Sequence, residues 1–172
     1  GVPAGDTVSV KECILGMVVL SANDCAAIVG EYLAGGSETA FARMMTDKAH
    51  ALGMTNTTYH NASGLPDDDQ ITTARDLVKL AEHLHDDFPQ YYRFFATREF
   101  VFRHRLITGH NRLMYRYPGM DGLKTGYIRA SGFNLASSAE RNGHRLYGVV
   151  MGSVSQTVRD RLMATLLDNG FA

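Results

Sequence analysis

Two short motifs carry residue types that could act on a peptide substrate. Lys124-Thr125-Gly126 combines a positive charge, a hydroxyl and a residue without a side chain at the predicted start of a strand. The ammonium and hydroxyl can hold an anion, and a glycine on an edge strand lets substrate backbone approach closely. Ser21-Ala22-Asn23 adds a second hydroxyl and a carboxamide on a predicted turn between helices. Either triplet alone arises often by chance, and helix capping would equally explain Ser21 and Asn23.

Helical patterns fill the first part of the chain and predict the elements that position Ser21-Ala22-Asn23. Ser9-Val-Lys-Glu12 is a capping box, after which apolar residues recur at helical spacing. Asp24 is expected to cap the second helix, and Thr73 the fourth. The predicted helices cover residues 9–20, 25–33, 37–53 and 73–84, with a polar loop over 54–71 before the last of them.

Strand patterns follow Pro89. Residues 99–108 are predicted as one strand because β-branched and aromatic side chains alternate with polar ones. Further strands are expected over 123–128, 133–139 and 145–152, the last two flanking the hairpin signal Asn142-Gly143. A final helix over 157–168 should end at Gly170. The order predicts an α+β fold, with a helical part over 1–96 carrying the first motif and a sheet part over 97–172 carrying the second.

Taken together and in this order, the two triplets resemble the S-x-N and K-T-G motifs of the penicillin-recognising serine enzymes. Longer segments resemble the D-alanyl-D-alanine carboxypeptidases, the low-molecular-mass penicillin-binding proteins. These segments are residues 15–24, 51–64, 73–76, 110–113, 119–126, 131–136 and 168–171. The resemblance covers nearly the whole chain. It implies a β-lactamase/transpeptidase-like fold, with a helical subdomain and an antiparallel sheet flanked by helices, incomplete at the N-terminus.

The resemblance also implies a serine acyl-enzyme mechanism that removes terminal D-alanine from the peptidoglycan stem peptide, and capture by β-lactam antibiotics. Ser21 would relay a proton toward the leaving amine, and Asn23 would hold the substrate amide. Lys124 would keep the local field positive and assist Ser21.

Substrate binding, on the same resemblance, would fall to residues at and beyond K-T-G. Thr125 and Arg159 would bind the substrate carboxylate, Gly126 would allow close approach, and the backbone N–H of Tyr127 would form half of an oxyanion hole. Without the resemblance, Arg159 would be interpreted as an exposed arginine on the last helix.

The first motif of these enzymes, S-x-x-K, supplies the nucleophilic serine and its activating lysine. No serine in this sequence has lysine three residues later. We therefore expect the chain to be the C-terminal portion of a cut or truncated carboxypeptidase, inactive by itself. Its partner would be a missing N-terminal segment, or a second chain, that carries S-x-x-K.

Two alternatives remain open. A serine β-lactamase shares the motifs, but class A enzymes use a glutamate in the loop between them to activate water. No glutamate occurs between Glu38 and Glu82, which favours the peptidase. A non-catalytic module that binds cell-wall peptide would also be consistent with the lack of a nucleophile.

Composition and charge bear on the possible ligands and partners of the chain. A net charge of −1 argues against a nucleic-acid partner. The local basic excess over 93–116 is interpreted either as the exposed side of a hairpin or as a cleft that attracts an anionic substrate. His83 and His85 should point apart on a helix, and nothing suggests a metal or other cofactor. The resemblance implies the periplasm or the outer face of the inner membrane.

Overall fold

The computed structural model describes all residues, 1–172, and has six α-helices and five β-strands. The helices are α1 (Val10–Leu15), α2 (Asn23–Leu33), α3 (Glu38–Ala51), α4 (Ala74–Asp87), α5 (Pro89–Tyr92) and α6 (Gln156–Phe171). The strands are β1 (Glu99–Phe102), β2 (Arg105–Thr108), β3 (Met120–Ile128), β4 (Gly132–Arg141) and β5 (His144–Ser153). Helices and antiparallel strands occupy successive stretches of the chain, which confirms the predicted α+β class.

Side chains cap three helices, and the caps at Ser9 and Thr73 are at predicted positions. Ser9 and Glu12 form the reciprocal capping box of α1, Ser37 accepts a hydrogen bond from the third residue of α3, and Thr73 does the same for α4. The predicted cap at Asp24 is wrong. This residue lies inside α2, where its carboxylate accepts from the N–H groups of Val2 (2.7 Å) and Cys25 (2.9 Å).

Residues 99–108 form a two-stranded hairpin rather than the single predicted strand. Glu99 pairs with Thr108 and Phe102 with Arg105. The turn between β1 and β2 consists of Arg103 (φ 46°) and His104 (φ 65°), both in the left-handed region that a tight hairpin turn requires. Neither residue type is a usual turn signal, which is why the sequence pattern suggested one strand.

The second hairpin agrees with its sequence signal. Strands β3, β4 and β5 form a three-stranded antiparallel sheet in that order, and Asn142-Gly143 turns the chain between β4 and β5. Helix α6 packs against this sheet and continues past Gly170, so the predicted helix end is wrong. A Cβ at Gly170 would lie 2.6 Å from Leu146 Cδ1, so this glycine serves close packing against β5 and not helix termination.

Two apolar clusters hold the sheet between helices. The larger cluster includes Met120, Leu135, Met163 and Leu167 and joins one face of the sheet to α6. The smaller consists of Ala81, Tyr92 and Leu123, with partly buried neighbours, and joins the other face to α4 and α5. Strand β3, which carries Lys124, is therefore fixed from both sides, although only one of its edges pairs with another strand.

Candidate active site

A tight turn between α1 and α2 positions Ser21. After α1 the chain continues through one wide π-helical turn, Gly16–Leu20, and Ser21 then adopts left-handed backbone angles (φ 60°, ψ 44°). Its N–H donates to the carbonyl of Met17 (3.2 Å), which closes the turn. This conformation is unfavourable for a residue with a Cβ and is typical of functional turns. The turn leads directly into α2, whose first residue is Asn23.

Strand β3 brings K-T-G to this turn. Lys124 and Thr125 pair with Ala136 and Leu135 of β4, which fixes their register. The ammonium of Lys124 donates hydrogen bonds to the hydroxyl of Ser21 and to the carbonyl of Thr125. Two motif residues separated by 103 positions in the sequence are therefore in direct contact.

Burial lowers the pKa of Lys124 from 10.5 to about 8, and Lys124 forms no ion pair that would oppose this effect. A lysine in this range is still mostly charged at neutral pH, but it can release its proton far more easily than a solvated lysine. The Ser21–Lys124 pair can therefore both stabilise negative charge and pass a proton between an ammonium and a hydroxyl.

The other predicted residues of the two motifs lie at the surface around this contact. Asn23 and Gly126 are exposed, and Tyr127 is 59% exposed, with its ring packed against Phe133 at 4.4 Å between centroids. Thr125 lines a cleft that opens beside the pair. The Asn23 carboxamide forms no hydrogen bond within the chain, so it is free to meet a ligand.

Arg159 is not the exposed arginine that its position on the last helix would suggest. It lies in the first turn of α6, is 3% exposed, and donates to Asp160 Oδ1 through Nε (3.0 Å) and Nη2 (2.6 Å). The second oxygen of Asp160 accepts from Arg116 (3.0 Å). No hydrogen bond connects Arg159 with Lys124 or Thr125, so the structure does not bring it into the Ser21–Lys124 contact.

Comparison with known proteins shows the family to which the chain belongs. The sequence model of the D-alanyl-D-alanine carboxypeptidase family matches residues 2–155. The chain belongs to this family. It is 36% identical over 168 residues to the D-alanyl-D-alanine carboxypeptidase DacC of Escherichia coli, covering 97% of the chain and 42% of DacC. It is 31% identical to DacF of Bacillus subtilis, covering 98% of the chain and 44% of DacF. The chain thus spans under half the length of these curated relatives.

Solved structures of carboxypeptidases and penicillin-binding proteins share the fold. The D-alanyl-D-alanine carboxypeptidase DacD from Francisella tularensis superposes with a TM-score of 0.96 at 30% identity, covering 99% of this chain and 54% of that one. Penicillin-binding protein D2 from Listeria monocytogenes, in its cefotaxime-bound form, gives 0.88 at 30% identity, covering 96% and 67%. These matches confirm the expected β-lactamase/transpeptidase-like fold.

The loop that would supply a β-lactamase glutamate offers no substitute in this carboxypeptidase-family chain. Asp67, Asp68 and Asp69 are exposed at its tip, and Asp67 accepts from the N–H of Asp69 (3.0 Å). Asp76 is buried but is occupied by Thr57 Oγ1 (2.8 Å) and the N–H of Asn56 (2.9 Å). None of these four carboxylates forms a hydrogen bond with Ser21 or Lys124.

Some basic residues of the stretch 93–116 lie on the exposed hairpin, and others line the cleft beside Thr125. Arg103 lies in the hairpin turn and pairs with Asp6 (2.7 Å), whereas Arg116 pairs with Asp160. Arg98 stacks over the ring of Tyr115 and, with His110, lines the cleft beside Thr125. The cleft is therefore cationic on one side, but most of the arginines lie elsewhere.

The two histidines of α4 do not form a metal-binding pair. His83 contacts Asp87 (3.1 Å) and His85 contacts Asp86 (2.8 Å), so each has its own partner. No three His, Cys, Asp or Glu side chains are gathered closely enough to hold a metal ion. None of the helices combines the length and apolar character that crossing a bilayer requires.

One residue of the cleft was missed by reasoning from the sequence. Asn111 lies in its wall, and both polar atoms of its carboxamide are buried without a hydrogen-bond partner. The segment 110–113 contributed to the family resemblance, but no spacing pattern assigned its asparagine a role.

Proposed function

We propose that the complete protein is a penicillin-binding serine D-Ala-D-Ala carboxypeptidase, and that this chain supplies its S-x-N and K-T-G elements. The observation that carries the proposal is the contact between Lys124 and Ser21 in a partly buried setting, where the pKa of Lys124 is lowered. Family membership supports the reaction class, because the relatives are D-alanyl-D-alanine carboxypeptidases.

In this proposal a serine from an S-x-x-K segment attacks the carbonyl of the penultimate D-alanine, and its hydroxyl proton passes to the lysine of the same motif. The bond to the terminal D-alanine breaks, and its nitrogen takes a proton as it leaves. Ser21 delivers that proton, and Lys124 replaces it and stabilises the developing negative charge. Water then hydrolyses the ester and restores the serine. The lowered pKa of Lys124, about 8, suits a group that exchanges protons near neutral pH.

Substrate binding is assigned to the exposed edge of β3. The free edge of this strand can hydrogen-bond an extended peptide, and Gly126 adds no side chain to obstruct it. Asn23 would hold the substrate amide and Thr125 its carboxylate. The N–H of Tyr127 would serve the oxyanion. Arg159 would assist at the carboxylate, which requires its guanidinium to act from a buried position while bonded to Asp160.

The 172 residues alone should not form an acyl-enzyme, because they contain no S-x-x-K serine and lysine. The partner that completes the site would be the segment, or chain, that carries this motif. Binding of β-lactams is proposed because a similar structure, penicillin-binding protein D2, has cefotaxime bound. Because peptidoglycan lies outside the inner membrane, the proposed site of action is the periplasm or the outer face of that membrane.

Labelling with fluorescent penicillin tests the proposal. The complete protein should become covalently labelled, its Lys124→Ala variant should label at least about 100-fold more slowly, and the 172-residue chain should not label. If the 172-residue chain is labelled and the adduct maps to Ser21, then Ser21 is itself the nucleophile and the relay role is wrong. If the complete protein turns penicillin over rapidly without a lasting adduct, it is a β-lactamase.

A further inference from the structure

Asp121 lies at an irregular point of β3, just before the K-T-G motif. Met120 pairs with Ala139 of β4, but the next pair joins Gly122 to Ser138. Asp121 is thus an extra residue on β3, and the strand has a β-bulge at this position. Bulges often occur beside active sites, where they redirect the side chains that follow them.

The bulge sets the register of the K-T-G motif. Beyond it, Lys124 lies opposite Ala136 of β4. If β3 had no extra residue, the register that precedes the bulge would continue and Lys124 would lie opposite Leu135 instead. Because successive residues of a strand point to opposite faces of the sheet, such a slip would change the surroundings of Lys124 and its contact with Ser21.

Arg145 of β5 holds the side chain of the extra residue. Its guanidinium contacts both carboxylate oxygens of Asp121, with Nη1 3.0 Å from Oδ1 and Nη2 2.8 Å from Oδ2. The hydroxyl of Ser138 donates to Asp121 Oδ1 (2.8 Å), and Glu140 accepts from Arg145 Nη2 (2.6 Å). Since Ser138 and Glu140 belong to β4, this network joins the three strands of the sheet at the bulge.

The network is largely withdrawn from solvent. The side chains of Arg145 and Asp121 are 17% and 30% exposed, and Ser138, which bonds to both, is fully buried. The ring of Tyr92 covers the guanidinium, with 5.4 Å from its centroid to Cζ. Burial would lower the pKa of Arg145, but hydrogen bonds to Asp121 and Glu140 outweigh burial and raise it. An arginine that contacts both oxygens of a carboxylate fixes their geometry as well as adding stability.

A shift at the bulge would reach Lys124. Strand β3 pairs with β4 alone, so no second strand fixes its register. The chain between Asp121 and Lys124 is closely packed. A Cβ at Gly122 would lie 3.1 Å from Phe95 Cβ, and Leu123 is buried in the smaller apolar cluster. This short segment therefore has little room to absorb a displacement before Lys124.

We propose that Asp121 and Arg145 are positioning residues whose ion pair holds the bulge of β3 and so sets the contact of Lys124 with Ser21. This inference rests on the proposed function. The hydrogen bonds of Asp121 and Arg145 do not include Lys124 or Ser21, so their effect on the reaction passes through the backbone of β3. A lysine at position 145 would keep the charge but not the planar fork, and would replace Arg145 only in part.

Acylation of the complete protein by fluorescent penicillin is the first test. Arg145→Met, which removes the ion pair and keeps an apolar side chain beneath Tyr92, should slow acylation about 10- to 100-fold, because Lys124 is displaced. Arg145→Lys should recover part of this loss. Asp121→Asn, which keeps the size of the side chain, should also slow acylation, and it provides the test if Arg145→Met does not fold.

The pKa of Lys124 in the ligand-free complete protein is the second test. NMR titration of isotope-labelled lysine measures it, and the Lys124 signal is the one missing in Lys124→Met. In Arg145→Met and in Asp121→Asn the pKa should rise from about 8 toward 10.5, because a displaced lysine regains solvent. Loss of charge alone would instead raise the pKa in Arg145→Met and lower it in Asp121→Asn.

Asp168→Asn is the matched control. Like Asp121, Asp168 pairs with an arginine of the sheet, Arg141 (3.6 Å), and accepts from a hydroxyl, that of Tyr117 (2.7 Å). It lies on α6 and not on β3. Asp168→Asn should therefore keep acylation within about twofold of wild type and leave the pKa of Lys124 unchanged.

The outcomes separate this inference from the proposed function. If the wild-type complete protein is never acylated, the proposed function fails, but the pKa of Lys124 in the variants still decides the inference. If Arg145→Met lowers the unfolding midpoint and leaves both acylation and this pKa as in wild type, the ion pair only stabilises the sheet and the inference is wrong. Opposite pKa shifts in Arg145→Met and Asp121→Asn would show a direct effect of charge, which also overturns it.

Discussion

Lys124 hydrogen-bonds the hydroxyl of Ser21, and this contact joins the edge strand of the sheet to the turn between the first two helices. The strand is held by apolar clusters on both faces, and the turn is held by backbone bonds around a left-handed serine. Both partners are thus fixed by elements that do not depend on a ligand.

Burial of Lys124 should make the stability of the 172-residue chain depend on pH. Below about pH 8 the lysine is protonated in both folded and unfolded states, so the full cost of burying its charge is present. Between about 8 and 10.5 the folded state releases the proton and the unfolded state keeps it, so stability rises with pH. The lowered pKa corresponds to at most about 3 kcal/mol.

Lys124→Met should remove this rise. Denaturant titrations at about pH 7 and pH 10 should show wild type gaining up to about 3 kcal/mol of unfolding free energy relative to the variant. An exposed lysine, Lys11, provides the control, and Lys11→Met should leave the pH dependence unchanged. A constant difference between wild type and Lys124→Met at both pH values would mean that Lys124 is solvated.

In the complete protein, Lys124→Ala and Arg159→Ala should affect different steps. Lys124→Ala should nearly abolish acylation by both penicillin and peptide. Arg159→Ala should mainly weaken the peptide substrate, lowering kcat/KM by about 10- to 100-fold through a lost charge-assisted contact. Because Arg159 also holds Asp160, the control is Asp160→Asn, which removes the ion pair and keeps the guanidinium. Equal losses in Arg159→Ala and Asp160→Asn would mean that Arg159 acts only through the fold.

Ionisation of the Asp76 carboxylate should make the stability of the chain depend on pH in the acid range. Burial would raise its pKa, but hydrogen bonds from Thr57 and from the N–H of Asn56 outweigh burial and hold the pKa below its usual value. The stabilisation is present above the unfolded pKa of about 4 and is lost as pH falls through the folded value. These bonds join the loop after α3 to the first turn of α4.

Thermal unfolding of Asp76→Asn should therefore show a lower midpoint than wild type at neutral pH, and the two midpoints should converge as pH falls below about 4. The exposed Asp68 provides a control, because Asp68→Asn should leave the unfolding midpoint unchanged at both neutral and acid pH. A midpoint difference that persists unchanged in acid would show that the lost stability comes from packing and not from the ionised carboxylate.

Local features were predicted from the sequence more completely than contacts between distant residues. The caps at Ser9 and Thr73, and the hairpin at Asn142-Gly143, depend on residues a few positions apart, so their patterns can be recognised in the sequence. The turn at Arg103-His104 was missed because tertiary context, and not residue preference, places these residues in the left-handed region.

Residue spacing alone was not enough to predict the candidate site. Spacing alone could not indicate that Ser21 and Lys124 meet, and the expectation came from the resemblance of several segments to a family. The partner of Arg159 is the adjacent Asp160, but sequence neighbours rarely reveal whether a charge is buried. Asn111 was missed because its distinguishing property is the lack of a partner, which only the packed structure shows.

Gly119 should be the most sensitive glycine on the approach to K-T-G. It has φ +82°, and a Cβ there would lie 2.3 Å from the carbonyl oxygen of Glu140, a backbone atom that cannot rotate away. The carbonyl of Gly119 also accepts the N–H of Glu140 (2.9 Å), which fixes the start of β3 against β4. Gly119→Ala should therefore cost about 3 kcal/mol or more in unfolding free energy and, in the complete protein, should slow acylation by displacing Lys124.

The matched control is Gly143, which has nearly the same backbone angle (φ +79°), and a Cβ at this position would meet no atom within 4 Å. Gly143→Ala should cost only about 1–2 kcal/mol, the conformational penalty of a left-handed residue. Denaturant titration of both variants separates the penalty of the angle from that of the collision. Equal losses would show that the backbone near Gly119 moves to accept a methyl group, and that the start of β3 is not rigidly held.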